Sequence, residues 1–170
     1  MSGARHAPGR AWVYGDGIDT DLMAPSAYLN KPQDEVSQHC MEAVDPQFAR
    51  AVGPGDVFVA GENLGIGSSR EQAPYNLLTL GIRCVLAKSY GRIFYRNALN
   101  IGLPALVCGS TDKINKGDAL EVDPVEGRVK NLTTGETLEC DPLPSHLVAM
   151  IEDGGLIPHL KKELAKQRGA

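Results

Sequence analysis

Two short, wholly apolar runs, Val57-Phe58-Val59-Ala60 and Cys84-Val85-Leu86-Ala87, are separated by a glycine-rich turn and an amphipathic stretch. Runs without polar alternation suit strands covered on both faces, as in a parallel sheet. Between them, Gly61-Glu62-Asn63-Leu64-Gly65-Ile66-Gly67-Ser68-Ser69-Arg70-Glu71-Gln72-Ala73-Pro74 reads as a turn that opens on a helix. Ala73, Leu77, Leu78 and Leu80 keep the i, i+4, i+5, i+7 spacing of one helix face, and Gly81 supplies the stop. Pro74 is tolerated only in a first turn, so the helix begins between Ser69 and Gln72. A strand, turn, helix, strand unit predicts parallel pairing with a right-handed crossover, and hence an α/β fold.

The remaining elements follow from local signals. Residues 1–10 are small and polar and read as a flexible N-terminus, leaving residues 11–170 as one domain. Trp12-Val13-Tyr14 is a short strand running into the turn Gly15-Asp16-Gly17, and residues 18–32 are a loop broken by Pro25 and Pro32. A helix is expected over 36–44, ended by Asp45-Pro46. Another is expected over 90–100, with Ile93, Phe94 and Ala98 facing inward. Leu103 to Val107 is a strand whose Pro104 belongs at its start or at a sheet edge. The pattern then changes to short alternating strands over 119–122, 128–132 and 137–140, which read as antiparallel β, and helices over 146–151 and 159–166 close the chain.

Composition excludes several function classes. A formal charge of −4 and a pI near 5.5 give no basic footprint for nucleic acid or anionic lipid. The first ten residues hold no apolar run, so neither a secretion signal nor a membrane anchor is read there, and a cytoplasmic protein is expected. Cys40, Cys84, Cys108 and Cys140 lie far apart with no C-x-x-C pair. An iron–sulfur cluster wants three or four thiolates converging from favourable spacing, so this chain is not expected to bind one, or any metal, alone.

The segment Gly65-x-Gly67-Ser68-Ser69-Arg70 carries the clearest chemistry. Glycines allow close backbone approach, a following helix start favours anions, and a guanidinium matches a carboxylate in bidentate fashion. An anion site and a plain serine helix cap both fit this pattern. Asp19 and Asp21 flank Thr20 and can orient a serine, bind a metal, or simply form an Asx-type turn. Lys88, Arg92 and Arg96 can line an anion site or form salt bridges. His39, His146 and His159 show no ligand spacing.

Three blocks then carry a resemblance: Gly15-Asp16-Gly17-Ile18-Asp19-Thr20-Asp21, Gly67-Ser68-Ser69-Arg70-Glu71-Gln72-Ala73-Pro74 and Ala87-Lys88-Ser89-Tyr90-Gly91-Arg92-Ile93-Phe94-Tyr95-Arg96-Asn97. In order and spacing they resemble the signature blocks of isopropylmalate dehydratase small subunits, from about residue 11 to residue 160. The resemblance implies the swivelling β/β/α domain of the aconitase superfamily, a mixed parallel and antiparallel sheet with flanking helices. It implies a hydro-lyase in leucine biosynthesis, active only with a large subunit that carries a [4Fe–4S] cluster. By the same resemblance Ser68 matches the catalytic base and Asp21 an active-site aspartate, while Ser69, Arg70 and Gly67 match substrate-carboxylate binding.

The sequence departs from the common pattern at Gln72 and at Tyr90-Gly91, where many relatives carry His and Phe-Ala; archaeal-type small subunits resemble the Gln form. After Tyr28-Leu29, where aliphatic residues mark isopropylmalate and Arg marks tricarboxylates, stand Asn30 and Lys31, expected to contact substrate. Homoaconitate, 2-methylmalate with citraconate, and dimethylmalate are therefore alternative substrates. A noncatalytic anion- or RNA-binding regulatory module is the alternative of another class, which the acidic pI and the retained Ser68 and Arg70 disfavour. Stoichiometry with the large subunit and self-association of the isolated chain are left open.

Overall fold

The computed structural model describes residues 8–169. The expectation of a flexible N-terminus falls mainly on residues 1–7, outside the described residues. Its last two positions need correcting, because Gly9 and Arg10 open the first strand, β1 (Gly9–Val13). β1 is the seam of the whole sheet. Its second half pairs in parallel with β2 (Val57–Val59), Ala11 opposite Val57, while its first half pairs antiparallel with β5 (Ala119–Asp123), Gly9 opposite Leu120.

The sheet has seven strands in the order β4-β3-β2-β1-β5-β6-β7, where β3 is Cys84–Ala87, β4 Ala105–Val107, β6 Arg128–Asn131 and β7 Thr137–Glu139. β1 to β4 are parallel and β5 to β7 form an antiparallel meander. The two burial patterns explain the division. β2 and β3 are buried at every residue, as strands covered on both faces must be, whereas β6 alternates exposed and buried.

Among the described residues seven helices accompany the strands: α1 (Thr20–Met23), α2 (Gln33–Ser37), α3 (Phe48–Ala51), α4 (Gln72–Thr79), α5 (Arg92–Asn100), α6 (Ser145–Glu152) and α7 (Leu156–Arg168). α4 and α5 are the crossovers from β2 to β3 and from β3 to β4. The helix expected over 36–44 is shorter and earlier. Pro32 sets its start, and Met41 turns to φ +65 so that its side chain and that of Cys40 enter the core. The loop expected over 18–32 contains α1 and a 3-10 turn at Ser26–Tyr28. Ile93, expected inward, is 41% exposed, while Phe94 and Ala98 are buried.

One hydrophobic cluster unites the strands and helices, with Phe48 edge-on to both Trp12 (5.4 Å) and Phe58 (5.7 Å). Buried Asp56 ties β1 to the turn before β2 by accepting from the Trp12 indole (2.9 Å), the Gly53 N–H (2.8 Å) and Arg10. Buried Asn76 of α4 donates to the Met23 carbonyl at the end of α1 and accepts from Gln33 of α2. These bonds press the 18–37 segment onto α4 and fix the loops that leave the strands.

Candidate active site

The C-terminal ends of parallel strands are where loops assemble sites in α/β sheets. Here the loops leaving β1, β2 and β3 are sewn together by backbone bonds. The Gly65 N–H donates to Ile18 O (2.7 Å), the Thr20 N–H to Ile66 O (2.9 Å), the Leu64 N–H to Ser89 O (3.1 Å) and the Gly91 N–H to Leu64 O (2.8 Å). The three sequence blocks therefore meet in space. Two glycines make this meeting sterically feasible. A Cβ on Gly65, which sits at φ +82, would overlap the Phe94 side chain, and one on Gly91 would lie 2.7 Å from Gly65 O. The Tyr90 hydroxyl anchors the third loop by donating to Leu106 O at 2.6 Å.

Ser68 and Ser69 lie in the exposed turn before α4. The helix-cap reading fails for both, because the residue at the N-cap of α4 is Glu71 and no side chain bonds there. Instead, the Ser68 Oγ lies 3.4 Å from the Oγ1 of buried Thr20. Arg70 turns back across the same loop, its Nη1 donating to Asp21 Oδ1 (2.6 Å) and to Ala24 O (2.9 Å). Among the described residues its other guanidinium nitrogens have no partner.

The two aspartates have different work. Asp19 caps α1, accepting from the Leu22 N–H at 2.9 Å, which is the turn role. Asp21 accepts from Arg70 and from the Ser26 N–H, and the Arg70 hydrogen bond holds its carboxyl below the usual carboxylate value. It is ionised at neutral pH and orients Arg70.

Asn30 and Lys31 are not brought to this cluster by any contact. Lys31 points to solvent and pairs with Glu35 at 3.9 Å. Lys88 pairs with Asp112 (3.2 Å), and Arg92 joins Lys88, Ser89, Tyr90, Tyr95 and Val107 around a shallow hollow of about 260 Å³. A roomier hollow, about 720 Å³, lies elsewhere: it is lined by Val57, Cys84, Leu120, Val122, Val148 and Ile151, at the opposite ends of the parallel strands. His39 and His159 bond to Glu42 and Asp153 in local pairs.

The thiols do not suit an iron–sulfur cluster. All four cysteines are buried, and burial pushes the Cys84 thiol up to about 12. A hydrogen bond shared with Cys140 lowers Cys108 to about 7 and raises Cys140. A cluster requires three or four thiolates converging on one point, and among the described residues these thiols are not so gathered. Among the described residues no group of three or more His, Cys, Asp or Glu stands where it could hold a metal ion, and no helix is long and apolar enough to cross a membrane.

Sequence reasoning missed Thr20 as a partner of Ser68 and the Ala24 carbonyl as a partner of Arg70. Thr20 stood inside a recognised block, but only the docking of α1 shows that its hydroxyl faces the serine.

Comparison with known proteins agrees with this geometry. Residues 17–109 match the family model described as the aconitase C-terminal domain, a span that runs from within the first loop through the other two. The chain is 49% identical over 163 residues to the isopropylmalate/citramalate isomerase small subunit of Methanocaldococcus jannaschii, covering 94% of this chain and 96% of the relative. It is 51% identical over 157 residues to the 3-isopropylmalate dehydratase small subunit 1 of Methanopyrus kandleri, covering 91% and 92%. A crystal structure of 3-isopropylmalate dehydratase from M. jannaschii superimposes with a TM-score of 0.89 at 40% identity, covering 96% of this chain and 99% of that one. With its curled mixed sheet, its three converged loops and this similarity along nearly its whole length, the chain belongs to the aconitase C-terminal domain family, among the small subunits of the 3-isopropylmalate dehydratases.

Proposed function

We propose that this chain is the small subunit of a two-subunit hydro-lyase that interconverts 2-isopropylmalate and 3-isopropylmalate by dehydration and rehydration, in leucine biosynthesis. The observation that carries the reading is the convergence of the Ser68 hydroxyl and the Arg70–Asp21 pair on one exposed surface. A proton abstractor beside a carboxylate clamp is what α,β-dehydration of a hydroxy acid needs. Its exposure leaves room for a covering partner.

In this reading Ser68 takes the proton from the substrate carbon. Arg70, held by Asp21 and Ala24 O, grips a carboxylate with its remaining donors, and Ser69 and the backbone at Gly67 complete the clamp. A [4Fe–4S] cluster carried by the large subunit would supply the Lewis acid that assists departure of the hydroxyl. The chain's own part is to bind, to orient and to move one proton. Return of water to the neighbouring carbon, with Ser68 giving its proton back, completes the isomerisation. Burial and reduction of the four cysteines suit a cytoplasmic setting.

A second substrate reading has a specific observation behind it. The M. jannaschii relative is an isopropylmalate/citramalate isomerase subunit, and a smaller methyl-substituted malate suits the same dicarboxylate clamp. The outward Lys31–Glu35 pair supports both of these over a tricarboxylate, which calls for a further inward cation.

The test is reconstitution with a large subunit, followed by rates with 3-isopropylmalate and 2-methylmalate. Ser68→Ala is expected to lower kcat by about 10²–10⁴-fold, the usual worth of general acid–base catalysis, with unfolding unchanged. Retention of kcat within a few-fold would remove Ser68 as the base.

A further inference from the structure

We propose that Thr20 is the positioning residue for Ser68, its hydroxyl fixing the direction of the Ser68 oxygen and donating a hydrogen bond to it in the charged form that accepts the substrate proton. The proposal rests on the reading of Ser68 as base and names what makes an otherwise exposed serine competent.

An exposed serine samples its rotamers freely and is solvated by water, which gives neither a direction nor a special basicity. Ser68 is exposed, but among the described residues its Oγ has one hydrogen-bond partner, the Thr20 Oγ1 at 3.4 Å. Thr20 is only 2% exposed, and among the described residues its hydroxyl makes no other hydrogen bond. Its backbone is fixed on both sides. Its N–H donates to Ile66 O at 2.9 Å, and its carbonyl accepts from the Ala24 N–H at 2.9 Å, while Asp19 caps the short helix it begins. A β-branched side chain on a fixed backbone has little χ1 freedom, so the hydroxyl direction is set before substrate arrives.

Gly67 completes the arrangement. It takes φ +108, and a Cβ there would stand 3.1 Å from Thr20 Oγ1, against the hydroxyl that must reach Ser68. A separation of 3.4 Å is longer than a strong O–H···O bond, as is common for catalytic hydrogen bonds in the absence of substrate, which tighten when it binds.

The proton balance is simple. Ser68 first gives its hydroxyl proton to solvent water at the exposed loop, and Thr20 keeps its own proton and donates to the Ser68 oxyanion so formed. The substrate C–H bond breaks, its proton forms the Ser68 O–H bond, and the electron pair stays on the substrate carbon. Thr20 then accepts from the new Ser68 hydroxyl by rotation of its own O–H. No proton leaves Thr20.

The test uses the enzyme reconstituted with its large subunit. Thr20→Val removes the hydroxyl and keeps the shape; Thr20→Ser and Thr20→Ala both lack the methyl and differ only in the hydroxyl. For Thr20→Val, kcat is expected to fall roughly 10- to 100-fold, the size of one charge-assisted hydrogen bond, with KM within about threefold. The primary isotope effect for substrate deuterated at the reacting carbon is expected to rise. Thr20→Ser should exceed Thr20→Ala in kcat by at least about tenfold, a ratio that serves even if Thr20→Val does not fold. The double variant Ser68→Ala with Thr20→Val should be no slower than Ser68→Ala alone. Equal kcat for Thr20→Ser and Thr20→Ala would overturn the proposal and leave Thr20 as core packing, even with Ser68→Ala inactive and the base reading intact. If Ser68→Ala itself remained active, the base reading would fall and this proposal with it.

Discussion

Replacing Arg70 by lysine keeps the charge and removes the fork, so it separates a carboxylate clamp from a generic positive field. In the structure one guanidinium nitrogen serves both Asp21 Oδ1 at 2.6 Å and Ala24 O at 2.9 Å, and among the described residues the remaining donors have no partner, so in the proposed clamp they meet substrate. A lysine ammonium can meet Asp21 or the substrate but cannot hold the protein contacts and present two parallel donors as well. The loss is then about one charge-assisted hydrogen bond, roughly 1.5–3 kcal/mol, or about 10- to 150-fold in kcat/KM. Because a bystander carboxylate is gripped in ground and transition states alike, most of the loss should fall in KM. Steady-state kinetics of the reconstituted enzyme measure it, with Asp21→Asn alongside. Asp21→Asn keeps the guanidinium and loosens its anchor, so a smaller loss in the same direction is expected. An Arg70→Lys enzyme within threefold of the parent in kcat/KM, or one impaired wholly in kcat at constant KM, would refute the clamp.

Three further outcomes follow from the same structure. Asp56→Asn should destabilise the chain by about 1.5–3 kcal/mol in urea unfolding at pH 7, because the buried carboxylate accepts from Trp12, Gly53 and Arg10. Its burial opposes the charge, but the Gly53, Trp12 and Arg10 bonds outweigh that and hold its carboxyl below the ordinary value. Its contribution is therefore complete above about pH 4 and lost as pH falls through the folded-state value, so the variant should show a flatter acid limb of stability, and an unchanged limb would contradict the assignment. Gly65→Ala should lower stability by several kcal/mol, roughly 1–3 from overpacking against Phe94 plus 1–2 from the φ of +82, read as reduced yield and a lower Tm. Lys31→Ala should leave kcat/KM for isopropylmalate within about twofold, since Lys31 faces solvent beside Glu35; a tenfold loss confined to one acid would place it on that acid.

The strand, glycine turn, helix and strand unit was legible in the sequence because its signals are local. Apolar runs, the 3.6-residue period and the glycine stops act within one element, and β2, α4 and β3 lie where those signals put them. The family resemblance of the blocks singled out Ser68, Arg70 and Asp21, whose residue types alone fitted a helix cap and a turn as well as an anion site. What the sequence could not contain is the partner of each group, because partners are chosen by how loops from different strands pack. Ser68 read equally as a helix cap until α4 began at Gln72 with Glu71 at its N-cap, and Thr20 had no assigned role until α1 turned its hydroxyl toward Ser68. The N-terminal boundary moved for the same reason: Gly9 and Arg10 have little strand propensity of their own, yet antiparallel pairing with Leu120 and Ala119, more than a hundred residues away in the chain, gives their backbone groups partners. Residue type and spacing thus determined which chemistry was present, and tertiary packing alone decided which side chains face one another across the loops.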